Sequence, residues 1–215
     1  MARRFADRQE AGAQLGAALE ERGFSKDVVV LGLPRGGVPV AYQVADRLEA
    51  PLDILVVRKI GVPGHRELAM GAVASGGTVI RNREVADWIG ISDVAFDDGV
   101  TKATEELRAR EASLRGSRSR VDVRDKTVIV VDDGMATGST MKAAVEALRT
   151  EHPEQIIVAV PVAAPETVRE MIKLADSVVC LLTPRFLRAV GAWYHDFGQT
   201  TDEEVRRLLE TAGRT

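Results

Sequence analysis

Two adjacent acids, Asp132 and Asp133, follow an apolar run and precede a loop of small and hydroxyl-bearing residues. The stretch, residues 128–140, reads VIVVDDGMATGST. The branched apolar residues predict a short buried strand, so both acids would lie at its carboxyl end. Two carboxylates buried together without a cation repel each other, and one of them tends to stay protonated. We therefore expect them to face hydroxyl donors or Mg²⁺.

The residues after the acid pair have the composition of an anion-binding loop. A helix is predicted to begin at Ser139, and the backbone N–H groups of a helix N-terminus lack partners and attract anions. Ala136 and Gly138 leave room for a phosphate to approach this backbone, and Thr137 and Thr140 add hydroxyl donors. A phosphate site beside acceptors for sugar hydroxyls or for a metal fits a phosphorylated sugar. The alternative is a tight strand-to-helix turn with incidental acids.

Short strands alternate with amphipathic helices along the chain, with a β-hairpin between the second strand and the third helix. Strands are predicted at residues 28–31, 54–57, 71–74, 78–80, 127–131, 156–160 and 177–182, and helices at 7–22, 38–48, 93–114, 139–149, 165–173 and 202–209. This alternation predicts an α/β fold in which a Rossmann-like, mostly parallel sheet carries helices on both faces. Such sheets bind ligands outside the carboxyl ends of their strands.

Composition limits the class of protein. The 215 residues, 45% of them hydrophobic, suffice for one domain, and a net charge of -3 gives no argument for a nucleic-acid or membrane surface. The single cysteine, Cys180, excludes an intramolecular disulfide and lies in an apolar run typical of a core. No apolar run reaches the roughly 20 residues of a membrane span, and the N-terminus lacks a signal-peptide apolar region. We therefore expect a cytoplasmic protein.

The acid pair and its loop resemble the signature of the type I phosphoribosyltransferases, with Gly134 where an apolar residue is more usual. The resemblance implies that Asp132 and Asp133 are catalytic. They would hold the ribose 2- and 3-hydroxyls of phosphoribosyl pyrophosphate (PRPP) and meet Mg²⁺ through PRPP or water. The loop would bind the 5-phosphate through Ala136, Thr137, Gly138, Ser139 and Thr140. The whole chain is most similar to a bacterial subgroup of predicted phosphoribosyltransferases whose loop reads DDG(L/M)ATG.

A glycine-rich segment after the first strand, residues 32–37, reads GLPRGG and resembles the pyrophosphate loop of that family. The resemblance implies that Pro34, Arg35, Gly36 and Gly37 bind the pyrophosphate. It is not a Walker A loop, because no Gly-Lys-Ser/Thr follows. An ordinary glycine-rich turn from strand to helix is the alternative.

Arg58 and Lys59 follow the second predicted strand, a place where the family often carries Arg-Lys. The resemblance implies that Arg58 binds pyrophosphate and that Lys59 acts in catalysis; a solvated strand end is the alternative. Residues 60–70 resemble the flexible loop that closes over the substrate. His65 lies in this segment, and we interpret it as a solvated histidine rather than as a catalytic base.

The chain ends are expected to form the hood that recognises the acceptor base. The chain is predicted to be a single domain, residues 1–215, with a core at about 24–182 and a hood made of 1–23 and 183–215. Phe186, Trp193 and Tyr194 either stack on the acceptor ring or form the hood's own small core.

The resemblance implies transfer of a 5-phosphoribosyl group from PRPP to a nitrogen-heterocycle acceptor, with release of pyrophosphate and with Mg²⁺ as cofactor. PRPP and a small-molecule acceptor would be the partners, without nucleic acid or membrane, and a homodimer is expected because dimers are the commonest oligomers. The main alternative is a PRPP-binding sensor or regulator without transferase activity. A nucleic-acid-binding regulator would need a basic face, and the candidate segment, residues 115–126, is short and interrupted by acids.

Two further alternatives fit the sequence less well. A PRPP-forming diphosphokinase would need an ATP site, for which there is no motif. A receiver-like phosphoacceptor domain carries its acidic pair after the first strand, whereas this pair follows a later strand.

Overall fold

The computed structural model describes residues 4–24 and 27–213, except for the side chains of residues 66, 67 and 84. In chain order the helices are α1 (Arg8–Glu21), α2 (Gly37–Leu48), α3 (Arg83–Ile89), α4 (Asp93–Arg115), α5 (Ser139–Arg149), α6 (Pro165–Met171) and α7 (Asp202–Ala212). The strands are β1 (Val28–Gly32), β2 (Leu52–Ile54), β3 (Val57–Val62), β4 (His65–Ala74), β5 (Val79–Arg81), β6 (Thr127–Val131), β7 (Gln155–Val162) and β8 (Ser177–Leu182). A short 3₁₀ helix covers Val190–Trp193.

The main sheet is parallel throughout its described strands, in the order β2-β1-β6-β7-β8. Its strands consist largely of branched apolar residues because both of its faces are covered. Val30, Ile129 and their neighbours pack against α1, α2 and α7, whereas Val128 and Val130 pack with α5 on the other face. The prediction of an α/β fold with helices on both faces is confirmed.

The strand predicted at residues 54–57 is wrong, because the chain leaves the main sheet inside that apolar run. β2 ends at Ile54, and Val57 begins β3 of a second sheet. At the junction, Val56 donates its backbone N–H to Ser75 Oγ at 2.9 Å. A run of four apolar residues carries no signal for such a change of sheet, since a buried junction and a buried strand have the same composition.

The second sheet is antiparallel, in the order β3-β4-β5. The predicted hairpin is confirmed, with Val73 opposite Val79. Most of the predicted loop at residues 60–70 forms the β3–β4 hairpin, with Gly64 in the turn at φ +80°, and closure of this segment over a substrate stays a prediction. Glycine, proline and charged residues concealed the strands, and the pairing is irregular around Gly61.

The predicted helices lie close to their expected positions. Two short helices, α3 and the 3₁₀ helix, were not predicted from the sequence. Asn82 caps α3 by accepting a hydrogen bond from the N–H of Val85 at 3.2 Å, and Ser92 caps α4 in the same way. The predicted helix 165–173 ends earlier, at Met171, and the predicted helix 202–209 continues to Ala212. The described residues contain no helix that is both long and apolar enough to cross a membrane.

The two chain ends meet at the carboxyl edge of the main sheet. Phe5 donates its N–H to the carbonyl of Trp193 at 2.9 Å and accepts from the N–H of His195 at 2.8 Å. In contrast, Leu15 and Leu19 place α1 in the main core. Only a short N-terminal piece therefore accompanies the C-terminal segment in the described part of the chain, and the division into core and hood stays a prediction.

Asp53 in β2 is the buried ionic anchor of this fold. Its carboxylate is 2% exposed and accepts hydrogen bonds from Arg115 Nε and from the N–H of Val121, both at 3.0 Å. The end of α4 and the segment before β6 are thereby tied to the edge strand. Removing one partner of a buried pair leaves the others desolvated without a bond.

We expect Asp53→Ala to lower the free energy of unfolding by about 3 kcal/mol, since it removes the buried acceptor of Arg115 Nε and of the Val121 N–H. Urea denaturation at neutral pH measures this change. Glu20→Ala is the matched control, because the Glu20–Arg47 pair is exposed on both sides and should cost about 0.5 kcal/mol. Equal losses for the two variants would contradict the anchoring role of Asp53.

Candidate active site

The acid pair and the glycine-rich loop lie side by side because their strands are adjacent and parallel. Leu33, just after β1, donates its N–H to the carbonyl of Val131 at 2.9 Å. A Cβ atom on Gly36 would lie 2.0 Å from Asp133 Oδ2, and one on Gly37 would lie 2.8 Å from the Asp132 Cα. Both positions require glycine for this close approach. The two predicted ligand loops are thus brought together at one edge of the sheet.

The carboxylate of Asp133 is held by an arginine from the other end of the chain. Arg8 Nε and Nη2 each lie 2.9 Å from Asp133 Oδ2, and both side chains are largely buried. The Tyr194 hydroxyl donates to the Asp133 backbone carbonyl at 2.6 Å. Asp132 Oδ1 accepts the Asp133 N–H at 2.9 Å. The acid pair is therefore fixed through both its side chains and its backbone.

One oxygen of each carboxylate has no such partner. Asp132 Oδ2 and Asp133 Oδ1 accept no hydrogen bond from another described residue. No buried side-chain oxygen or nitrogen of the described residues lacks a hydrogen-bond partner, so neither of these oxygens is enclosed and unsatisfied. The pair therefore presents two acceptors to a ligand at the sheet edge.

Burial makes the ionised acid pair unfavourable. It raises the pKa of Asp132 well above its usual range, and the neighbouring charge of Asp133 raises it further. Burial also raises the pKa of Asp133, although the Arg8 guanidinium works in the opposite direction. Hydroxyl donors or a cation at the two open oxygens would relieve this strain.

Hydrogen bonds to β7 and α6 hold the loop after the acids, and several of its residues are exposed. Met135 donates its N–H to the carbonyl of Val162 at 2.9 Å, and Thr167 Oγ1 donates to the carbonyl of Ala136 at 2.5 Å. Gly138 precedes α5 at φ +67°, without a side-chain cap for the helix. The expected phosphate-binding residues Ala136, Thr137 and Thr140 are exposed, so the uncapped end of α5 is open to an anion.

Lys59 reaches this loop from the second sheet. Its Nζ donates to Ser139 Oγ at 2.9 Å. Arg58 does not accompany it, because successive side chains of a strand point to opposite faces. The Arg58 guanidinium lies 2.7 Å from Glu106 of α4. The expectation that both charges end the second strand of the main sheet is wrong, since both lie within β3.

Arg35 of the glycine-rich loop is exposed and lies 3.6 Å from Asp202 Oδ1 of α7. The peptide bond between Pro34 and Arg35 is cis. The loop therefore presents an exposed basic side chain near the start of α7.

Comparisons with known proteins match this arrangement. The family model for the phosphoribosyl transferase domain covers residues 5–194. The chain belongs to the phosphoribosyltransferase family. TT1426 from Thermus thermophilus, a solved structure, superposes with a TM-score of 0.86 and is 42% identical, covering 96% of this chain and 97% of that one.

Curated relatives of this chain include a longer protein. The predicted phosphoribosyl transferase Rv0571c of Mycobacterium tuberculosis is 44% identical over 210 residues, which are 98% of this chain and 47% of that protein. The chain thus spans about half the length of this relative. The "Bifunctional protein PyrR" of Clostridium novyi is 28% identical over 144 residues, 66% of this chain.

The C-terminal segment forms an aromatic cluster with Phe5. The Tyr194 ring is buried between Phe5 and Phe197, with centroids 5.5 and 5.0 Å away. Tyr194 is therefore buried in an aromatic cluster, which disfavours its predicted stacking on an acceptor and favours the alternative of a structural role. Phe186 is 77% exposed and Trp193 is half-buried, so an acceptor role for these two stays a prediction.

Arg8 is the site residue that the sequence did not reveal. It lies 125 positions from Asp133, and its neighbours Asp7 and Glu10 indicate only the start of a helix. The Asp7 carboxylate does cap α1, accepting from the N–H of Glu10 at 2.8 Å. No spacing along the chain marks a contact of this range.

The buried acids predict an unusual dependence of stability on pH. Folding raises the pKa of Asp132 above its unfolded value of about 3.9, so protonation favours the folded state and ionisation opposes it as the pH rises. Asp132→Asn resembles the neutral acid. With a chelator present, we expect this variant to be more thermostable than the wild type at about pH 7.5, with the difference shrinking toward about pH 4.5.

Thermal unfolding followed by circular dichroism at both pH values measures the effect. Asp98→Asn, which changes an exposed acid on α4, should show no such gain. A wild type that is more stable than Asp132→Asn at about pH 7.5 would contradict the unfavourable burial of the acid pair.

Proposed function

We propose that the chain transfers a 5-phosphoribosyl group from PRPP to a nitrogen-heterocycle acceptor and releases pyrophosphate. The observation that carries the proposal is the pair of open carboxylate oxygens on Asp132 and Asp133, set between two backbone loops. PRPP has a diol, a 5-phosphate and a pyrophosphate. The sheet edge offers acceptors for the diol and one glycine-containing loop for each phosphorylated group.

The ribose and its phosphate would bind to the acid pair and the loop that follows it. The two open carboxylate oxygens can accept hydrogen bonds from the two neighbouring hydroxyls of the ribose. The 5-phosphate would lie on the backbone N–H groups of residues 136–140, with the hydroxyls of Thr137, Ser139 and Thr140 around it. Lys59 would add its charge there, since it already contacts Ser139.

The pyrophosphate would bind along residues 34–37. Gly36 and Gly37 place their backbone against the acids without intervening side chains, and the exposed Arg35 can turn toward the leaving group. To bind the pyrophosphate, Arg58 would have to break its ion pair with Glu106. This pair lies on the surface and contributes little energy.

The reaction breaks the bond between the anomeric carbon and a pyrophosphate oxygen and forms one from that carbon to an acceptor nitrogen. The leaving pyrophosphate takes the bonding electron pair, so positive charge grows on the ribose. The carboxylates of Asp132 and Asp133 stabilise this charge, and their anchored geometry requires little reorganisation. Arg35 stabilises the negative charge of the departing group.

Mg²⁺ fits this site as an ion that is brought by the substrate. Among the described residues there is no group of three or more His, Cys, Asp or Glu side chains that could hold a metal. Mg²⁺ keeps several waters and is often bound by one or two carboxylates together with substrate phosphates. The open oxygens of Asp132 and Asp133 would contact it through PRPP or water, and its charge would offset that of the pyrophosphate.

A PRPP-binding regulator is the second candidate, because the same site would bind PRPP without turnover and because one relative is named a bifunctional protein. A regulator that binds nucleic acid would need free basic side chains, and the basic segment, residues 115–126, gives this little support. Arg115 pairs with Asp53 and Arg120 with Glu151, and Arg118 donates to a backbone carbonyl of α7. The cytoplasmic location and the homodimer stay predictions.

The test is pyrophosphate release from PRPP and Mg²⁺ in the presence of a panel of nucleobases and related heterocycles. We expect release with at least one acceptor, and a loss of at least about a hundredfold in the Asp132→Asn/Asp133→Asn variant, because it removes both charges that face the ribose.

The chain supplies a matched control for this variant. Asp97 and Asp98 form a second Asp-Asp-Gly triplet, exposed on α4, and Asp97→Asn/Asp98→Asn should retain wild-type release. Release that survives the loss of Asp132 and Asp133 would contradict the proposed site. Binding of PRPP without release would favour the regulator.

A further inference from the structure

Arg8 makes three kinds of contact with one planar guanidinium group. Nε and Nη2 both lie 2.9 Å from Asp133 Oδ2, and Nη1 donates to the carbonyl of Gly198 at 2.7 Å. The guanidinium carbon lies 3.9 Å from the centroid of the Phe197 ring. Nε and Nη1 each donate a hydrogen bond and Nη2 lies at ion-pair distance from Asp133, so the position of the group is determined from several directions.

These contacts bring both chain ends onto one acid. Phe5 and Tyr194 pair their backbones beside Arg8, and Tyr194 donates its hydroxyl to the Asp133 carbonyl. Asp133 is consequently held at its side chain by the N-terminal helix and at its backbone by the C-terminal segment. Neither contact uses Asp133 Oδ1, which remains open.

An unanchored Asp133 would have reason to move. It is largely buried beside the carboxylate of Asp132, and both the repulsion and the lost hydration favour a turn away from the pair. The missing side chain at Gly36 lets Asp133 Oδ2 and Arg8 Nη2 meet in space that a Cβ would need, since a Cβ there would lie 2.0 Å from Oδ2 and 3.3 Å from Nη2. The Arg8 guanidinium opposes such a turn and keeps the open oxygen on the ligand side.

We propose that Arg8 is a positioning residue for the ribose: it fixes Asp133 so that one oxygen of each acid receives the sugar diol, and it joins the hood to that site. This inference rests on the proposed function, since it assigns Arg8 a part in binding the ribose of PRPP. It predicts a defect specific to the sugar and absent for ligands that lack the diol.

The experiment compares two probes by calorimetric titration: ribose 5-phosphate, and pyrophosphate without Mg²⁺. We expect Arg8→Gln to weaken ribose 5-phosphate binding at least about tenfold and to leave pyrophosphate binding within about twofold. Arg8→Lys should rescue only part of the loss, because an ammonium cannot hold Asp133 with two donors while bonding Gly198 and stacking on Phe197.

Arg47 provides the matched control. Its Nε and Nη2 also bond a single carboxylate oxygen, that of Glu20, on the exposed surface between α1 and α2. Arg47→Gln should leave both titrations unchanged. A double variant separates positioning from general loss of structure: in an Asp133→Asn background, Arg8→Gln should have little further effect on ribose 5-phosphate.

Each outcome has a distinct meaning. Equal weakening of both probes by Arg8→Gln, or unchanged binding of ribose 5-phosphate, would overturn the positioning role while leaving the proposed function intact. A full further loss in the Asp133→Asn background would also overturn it. A wild type that binds pyrophosphate but not ribose 5-phosphate would contradict the proposed function itself, together with this inference.

Discussion

The site depends on one electrostatic constraint: two carboxylates lie side by side at the end of a buried strand. Burial raises the pKa of both acids, so the free protein carries a local instability at neutral pH. The surrounding structure limits this instability without removing it. Arg8 neutralises one oxygen of Asp133 and a backbone N–H binds one oxygen of Asp132, which leaves the remaining two for a ligand. Such strain persists where function requires it.

Several otherwise unrelated features follow from this constraint. Gly36 and Gly37 lack side chains because the acids occupy the space that a Cβ would need. Helix α1 begins at Arg8, so the start of the first helix sits over the end of the third strand of the main sheet. The Tyr194 ring is buried, and its hydroxyl donates to the Asp133 carbonyl. The two chain ends and the acid pair are thus joined by direct contacts.

The sequence predicted what depends on local pattern and missed what depends on distant contact. Branched apolar runs located β1, β6 and β8, and the acids with their small-residue loop indicated a phosphorylated sugar. The junction at residues 54–57 was misread because its apolar residues are buried in either sheet. The hairpin containing Lys59 looked like a loop, since cross-strand pairing stabilises it despite its glycines. Arg8 carried no signal, because only the folded chain places it beside Asp133.

The most direct test is a calorimetric titration of PRPP and Mg²⁺ into the wild type and into Asp133→Asn, with Asp98→Asn as the surface control. Asparagine keeps the shape of the Asp133 side chain and an oxygen that can accept from Arg8, so the variant should keep its circular dichroism spectrum. The account predicts binding to the wild type and the control, and affinity at least about tenfold weaker in Asp133→Asn. Unchanged affinity in a folded Asp133→Asn protein would contradict the assignment of the acid pair to the ribose.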